Sequence, residues 1–178
     1  MNERKIVLIG GGVRSGKSSF AVELGLRLGE RRAFIATATR SDEEMNARID
    51  RHQLDRQNAF TTVEEPRALA EAIESLAQHE VVVIDCLTHW LSNLLIAKAS
   101  QEEILSQVDH VVAVLEKRSC HTVLVTNEVG MSIHPPTALG RAFVEICGRA
   151  HQRFAGAADE IYLAVLGTTL RIKPAGVS

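Results

Sequence analysis

Cysteine is scarce in this chain. Its three cysteines, Cys86, Cys120 and Cys147, are odd in number, far apart and without CxxC spacing. That excludes a disulfide framework and makes a reducing cytoplasm the expected setting. Long apolar runs are missing too, and none approaches the ~20 residues that a membrane helix needs. Near the start, Met1-Asn2-Glu3-Arg4-Lys5 leads into only Ile6 to Ile9 before glycine, too short for the core of a signal peptide. No stable membrane insertion is expected. Neither sign of charge prevails, with 20 Lys and Arg against 22 Asp and Glu, and aromatics are few, with 5 Phe, 1 Tyr and 1 Trp. A nucleic-acid partner is therefore not expected. Histidines 79, 89, 110, 121, 134 and 151 show no i/i+3 or i/i+4 pairing, which argues against zinc. No repeat, low-complexity tract or linker divides the chain, so residues 1–178 are expected to form a single domain.

What is present alternates between short apolar runs and helical patterns. Ile6-Val7-Leu8-Ile9, Ala33-Phe34-Ile35-Ala36, Val81-Val82-Val83-Ile84 and Thr122-Val123-Leu124-Val125 read as buried parallel strands. Helical spacing follows from Lys17 to Leu28, from a capping-box pair Ser41 and Glu44 to about Asp55, and after Pro66 through Leu69, Ile73 and Leu76. Further helices are predicted over Thr88 to Ala97, Gln101 to Arg118 and Leu139 to Ala155. Glu160 to Val165 and Thr169 to Ile172 make a terminal hairpin around Gly167. This order predicts an α/β fold of the P-loop NTPase type, a mostly parallel sheet with helices on both faces and a C-terminal hairpin. Ligands of such folds bind at the carboxyl ends of the strands. Thr37, Asp85, Thr126 to Glu128 and the glycines after Ile9 should therefore converge on one crevice.

The glycines carry the strongest signal. Gly11-Gly12-Val13-Arg14-Ser15-Gly16-Lys17-Ser18 matches GxxxxGK[ST] between a predicted strand and a predicted helix, the context this motif requires. Backbone N–H groups and the helix amino terminus would surround phosphate oxygens. Lys17 would reach the β- and γ-phosphates and Ser18 would hold Mg²⁺. Asp85, ending the third strand, is the expected second Mg²⁺-linked carboxylate, acting directly or through water. Capping of the helix near Thr88 is its alternative role.

On the helix after the second strand, Arg48, His52 and Arg56 are spaced four apart on one face, at ~1.5 Å rise per residue. They would span a triphosphate, with His52 beside the buried residues Met45 and Ile49. By themselves they read more readily as a solvated basic stripe, with Glu44 placed to pair with Arg48.

Together these residues resemble the bifunctional adenosylcobinamide kinase / adenosylcobinamide-phosphate guanylyltransferase family of cobalamin biosynthesis. The resemblance runs from the phosphate loop through Ile35-Ala36-Thr37, Asp42-Glu43-Glu44-Met45, Arg48-Ile49 and His52, then Thr62-Val63-Glu64-Glu65-Pro66. It continues through Asp85, Leu87-Thr88, Trp90 and Asn93 to Val125-Thr126-Asn127-Glu128-Val129-Gly130, Gly140-Arg141, Gly148-Arg149 and Ala158-Asp159. It implies phosphorylation of adenosylcobinamide from ATP or GTP. GMP transfer from GTP then follows through a guanylyl-histidine at His52, with Lys17 as the other catalytic residue. Nucleotide contacts carry over onto Gly11, Gly12, Val13, Arg14, Ser15, Gly16, Lys17 and Ser18. They also fall on Ala36, Thr37 and Ala38, on Gln53, Leu54, Asp55 and Arg56, and on Glu64 and Asp85. A homotrimer is implied as well. Phe60, Ser132, His134 and His151 depart from the pattern, standing where Trp, Gly, Val and Asn are frequent.

Two other readings compete. A different small-molecule kinase would share the loop and lack guanylyl transfer. A GTPase switch is disfavoured because no Asn-Lys-x-Asp guanine-reading motif occurs.

Overall fold

In the computed structural model, residues 4–39, 59–131 and 133–174 are described. The predicted helix from Ser41 lies outside them, and with it Arg48, His52, Gln53, Leu54, Asp55 and Arg56. Strand β1 (Ile6–Gly11) leads into helix α1 (Lys17–Leu28), followed by β2 (Arg32–Ala36), β3 (Thr61–Glu64) and α2 (Leu69–Ser75). Next come β4 (Val81–Asp85), α3 (Leu87–Ile96), α4 (Gln101–Lys117), β5 (His121–Asn127), α5 (Ala138–Ala157), β6 (Glu160–Val165) and β7 (Thr168–Lys173).

The seven strands form one sheet in the order β3-β2-β4-β5-β1-β6-β7. All pairings are parallel except β6 with β7, which is the expected hairpin. Alternation along each strand divides the apolar side chains between the two faces. Ile6, Leu8, Ala33, Ile35, Val82, Ile84 and Leu124 join the larger core with α2, α3, α4 and α5. Val7, Ile9, Phe34, Val81, Val83, Val123 and Val125 face the other way, where Ala21 of α1 and Phe60 close the second core. Phe60 meets Phe34 edge-on at a centroid separation of 6.2 Å.

Two differences from the sequence reading are instructive. β3 was not predicted, because Thr61-Thr62-Val63-Glu64 is a polar edge strand with no buried residue; pairing to Ala33–Ala36 makes it a strand, not hydrophobicity. β1 extends two residues further than predicted, through Gly10 and Gly11, which pair with Thr126 and Asn127.

Local capping fits the sequence where the chain is helical. At α4, Ser100 and Glu103 form a reciprocal capping box, and Thr137 caps α5 through Gly140 N–H. Helix α3 has Cys86 at its N-cap and no side-chain cap, so capping is not the role of Asp85 there.

Candidate functional site

The carboxyl ends of β1, β2, β3, β4 and β5 bring the expected polar groups to one edge. Glu64, Ala36 and Asp85 lie in a single register row, Glu64 opposite Ala36 and Ala36 opposite Asp85. Gly11 lies opposite Asn127, and the Glu128 N–H donates to Gly11 O at 2.9 Å. The loop between β1 and α1 therefore emerges beside β5 and across from the row that ends in Asp85.

That loop is tightly built. Ser15 N–H closes a turn onto Gly12 O at 3.3 Å, and the Gly167 N–H of the β6–β7 turn braces Ser15 O at 3.2 Å. Gly16 starts α1 in the left-handed region at φ 94°, where a side chain is strained. Gly16 offers no side-chain cap and the first turn of α1 has no acidic residue, so the turn itself places no anion at the positive end of the helix. Lys17 is only 4% exposed, its Nζ donating to Gly12 O at 2.9 Å inside the loop. The ammonium is thus folded into the hollow that phosphate oxygens would occupy. Val13 and Arg14 are exposed, Ser15 is buried and Ser18 is half-buried. Ser15 Oγ is buried without a hydrogen-bond partner among the described residues.

The loop after β2 is fixed from two sides. Thr37 is fully buried, its Oγ1 donating to Cys86 O at 2.7 Å and accepting from Cys86 N at 2.9 Å. Asn93 Nδ2 donates to Thr37 O at 2.8 Å and to Pro66 O at 3.0 Å, tying the ends of β2 and β3 to α3. Trp90, wholly buried, adds a bond from Nε1 to Arg67 O at 2.8 Å. The Thr37 side chain is therefore committed to the scaffold, and the backbone joins it: Thr37 N–H donates to Asp85 O at 3.2 Å and Glu65 N–H to Ala36 O at 3.0 Å, while Ala36 and Ala38 are half-buried.

A second polar cluster lies under β5. Thr88, Thr126 and His151 form a hydrogen-bonded chain that ends on the Asn127 backbone. Burial pulls the His151 imidazole below the ordinary histidine value, with the Glu128 carboxylate partly opposing it. Burial, reinforced by Glu128, pushes the Cys147 thiol up to about 12. Sequence reasoning flagged Thr126 to Glu128 as polar groups following a strand, but no spacing rule links position 151 to position 126.

Comparison with known proteins places this edge in context. The family model described as cobinamide kinase / cobinamide phosphate guanyltransferase matches residues 7–172. The chain belongs to this cobinamide kinase / guanyltransferase family. Among its relatives, the bifunctional adenosylcobalamin biosynthesis protein CobU of Escherichia coli is 36% identical, covering 94% of this chain and 99% of that one. CobU of Salmonella typhimurium is 37% identical over the same shares, 94% and 99%. CobP of Pseudomonas aeruginosa is 35% identical over 93% of this chain and 96% of its own. Among solved structures, the RadB recombinase has a TM-score of 0.54 at 17% identity, covering 90% of this chain and 74% of that one. The flagellar accessory protein FlaH of Methanocaldococcus jannaschii has 0.56 at 11%, covering 99% and 83%. At those identities the likeness is one of fold, the P-loop NTPase type that the loop and sheet order predict.

Proposed function

We propose that this chain phosphorylates adenosylcobinamide and then guanylylates the product. In the first reaction the aminopropanol hydroxyl attacks the γ-phosphorus of ATP or GTP and the nucleoside diphosphate leaves. In the second, His52 attacks the α-phosphorus of GTP and pyrophosphate leaves. The new phosphate then takes GMP from the histidine, giving adenosylcobinamide-GDP. The observation that carries this reading is the phosphate loop with its sheltered Lys17, lying across from Asp85 in a chain matched almost end to end by the kinase / guanyltransferase family.

Each loop residue has a role under this reading. Lys17 exchanges its bond to Gly12 O for phosphate oxygens, so its charge is already desolvated and positioned when the nucleotide arrives. The Gly11 to Ser18 backbone and the α1 amino terminus bind the triphosphate. Ala36, Thr37 and Ala38, flanked by Glu64, are proposed nucleotide contacts on the family resemblance. Gln53, Leu54, Asp55 and Arg56 are further proposed nucleotide contacts, on the family resemblance alone.

Mg²⁺ suits the donors at hand. No group of three or more His, Cys, Asp or Glu side chains able to hold a metal occurs among the described residues. Mg²⁺ binds through one or two protein oxygens with phosphates and waters completing its octahedron. The half-buried Ser18 hydroxyl and Asp85 carboxylate are hard oxygen donors of that kind. When bound, the ion supplies charge neutralisation on the transferring phosphates.

Two wider expectations belong to the same proposal. A homotrimer is supported by apolar side chains left exposed on the hairpin, with Leu166 95%, Leu170 66% and Ile172 47% exposed. Light scattering should then return three times the 19.5 kDa chain mass. A cytoplasmic setting is supported by three free, buried cysteines, and no helix among the described residues is long and apolar enough to cross a membrane.

The direct test is to incubate the protein with adenosylcobinamide, ATP and Mg²⁺, then add GTP, and follow the corrinoid by mass spectrometry. Gain of one phosphate and then of GMP is expected. A phosphorylated corrinoid that never gains GMP would leave only a small-molecule kinase, and an unchanged corrinoid would overturn both steps.

A further inference from the structure

The polar chain beneath β5 is closed at one end by an imidazole and at the other by the residue paired with Gly11. The Asn127 N–H donates to Thr88 Oγ1 at 2.7 Å, Thr88 Oγ1 lies 2.9 Å from Thr126 Oγ1, and Thr126 Oγ1 lies 2.7 Å from His151 Nε2. Both threonines are buried, at 6% and 3% exposure. A hydroxyl has one proton to donate, so the direction of each bond constrains the next. Thr88 Oγ1 already accepts from Asn127, and its own proton can go to Thr126 Oγ1 or to Asn127 O, 3.4 Å away.

The state of His151 selects between these. A neutral ring protonated on Nδ1 offers Nε2 as an acceptor, so Thr126 donates to it and Thr88 donates to Thr126. Every link then has a good length. An imidazolium, which like the Nε2–H tautomer of the neutral ring donates from Nε2, turns the Thr126 proton towards Thr88 and leaves Thr88 with the long contact to Asn127 O. Protonation at one ring nitrogen thus reverses two buried hydroxyls and loosens the support of Asn127.

Asn127 is placed to pass this on. It is the register partner of Gly11, where the phosphate loop begins, and its Nδ2 lies 3.8 Å from Cys86 Sγ, one residue past Asp85. Its Oδ1 is buried and has no hydrogen-bond partner among the described residues. A buried carbonyl beside the phosphate loop calls for a donor from a ligand.

We infer that Asn127 Oδ1 accepts a hydrogen bond from the substrate hydroxyl at the phosphate loop, and that His151 is a positioning residue which holds Asn127 through Thr126 and Thr88. The inference rests on the reading of this edge as a phosphoryl-transfer site. In that transfer the hydroxyl oxygen bonds to the γ-phosphorus and the bridging β,γ-oxygen leaves with the electron pair of its bond. The hydroxyl proton passes to solvent, since an amide carbonyl orients it without taking it.

The surroundings favour the neutral, working form near pH 7. Thr126 faces His151 from β5, Thr88 extends the chain onto α3, and the Glu128 carboxylate acts on the ring from the segment after β5. On α5 itself, Arg149 pairs with Glu145, and Arg153 pairs with Asp109 of α4. Cys147, one turn earlier, stays neutral because burial holds its thiol near 12. Burial outweighs Glu128 and keeps His151 below its ordinary value, which favours the neutral ring.

The test compares the full-length wild type with His151→Asn, whose amide hydrogen-bonds without titrating, and with His151→Phe, which cuts the chain. The kinase step is followed with ATP, Mg²⁺ and adenosylcobinamide between about pH 5 and pH 8. Wild-type kcat should fall about tenfold on the acid side along a limb that His151→Asn lacks, with the two within about threefold at pH 8. His151→Phe should lose about tenfold in kcat at every pH, with nucleotide KM unchanged. The imidazole C–H resonances that disappear in His151→Asn should titrate, in the wild type, at the midpoint of the acid limb. An identical acid limb in His151→Asn, or a titration midpoint away from the limb, would overturn the inference. If the wild type transfers no phosphate at any pH, the underlying reading of the site fails instead.

Discussion

Replacing Gly11 by alanine probes the joint on which the site depends. Gly11 ends β1, opens the phosphate loop and lies between Asn127 of β5 and Ala164 of β6. A Cβ at this position would sit 2.5 Å from Ala164 O and 2.7 Å from Ser15 Oγ. Ordinary C···O contacts begin near ~3.3 Å, so the overlap with Ala164 O is about 0.8 Å. That neighbour is strand backbone and cannot swing aside. Overpacking of this kind costs about 1–3 kcal/mol, and relief requires the end of β1 to move away from β6, carrying the loop with it. About 2 kcal/mol of lost stability is therefore expected. If a similar amount is lost from nucleotide binding, affinity falls roughly 30-fold. Urea unfolding followed through Trp90, the single tryptophan and fully buried, reads the first quantity. Calorimetric titration with Mg·ATP reads the second. Gly148→Ala is the control, since its new Cβ meets nothing within 4 Å on an exposed turn of α5. It should gain about 0.5–1 kcal/mol from helix propensity. A Gly11→Ala protein with wild-type unfolding midpoint and affinity would refute the reasoning about this joint.

Lys17→Ala should abolish both transfers, because one cradle serves both; near-normal turnover in either reaction would place that reaction at another site. Asp85→Asn keeps the shape and removes the charge, so Mg²⁺-dependent turnover should fall by at least about tenfold while metal-free nucleotide binding changes little; an unchanged Mg²⁺ requirement would detach Asp85 from the metal. Stability should also fall in mild acid. Burial and then the Lys5 charge hold His121 below its ordinary 6.5, and burial lowers His151 as well. Below pH 6.5 the unfolded chain binds protons that the folded chain refuses, so stability declines from there towards the folded values and levels off beneath them. The urea midpoint should drop between pH 7 and pH 5, and His121→Gln should flatten that slope; a slope unchanged in the variant would mean that other groups cause the loss.

The parts of the fold that were legible in the sequence share a physical cause. β1, β2, β4 and β5 are buried on both faces, so they appear as uninterrupted apolar runs, and the glycine-rich loop has a spacing that only a phosphate cradle demands. β3 was illegible because an edge strand needs partners more than hydrophobicity, and Thr61-Thr62-Val63-Glu64 carries no alternation. In the site, Gly11 to Ser18 and Asp85 could be placed by motif and strand order alone, and the structure brings Ala36 and Glu64 into the same row as Asp85. Thr37 is a more subtle case. Its position after β2 suggested a ligand contact, yet its hydroxyl is spent on both polar groups of the Cys86 backbone. The link from His151 through Thr126 and Thr88 to Asn127 was hidden because it joins residues 25 and 38 positions apart, from two helices and a strand, with no local pattern. Arg48, His52 and Arg56, whose spacing and family resemblance suggested the covalent chemistry, lie outside the described residues.

The guanylyl-histidine is therefore the claim most in need of a direct measurement. Wild type and His52→Ala are each incubated with Mg²⁺ and GTP labelled at the α- or the γ-phosphate, without corrinoid, and protein-bound label is counted before and after acid and alkali. Wild type should retain α-label and no γ-label, in a bond that acid cleaves and alkali spares, as expected of phosphorus bound to imidazole nitrogen. His52→Ala should retain neither label while still phosphorylating adenosylcobinamide from ATP. Alpha-label that persists on His52→Ala, or a wild type that never acquires it, would contradict the account.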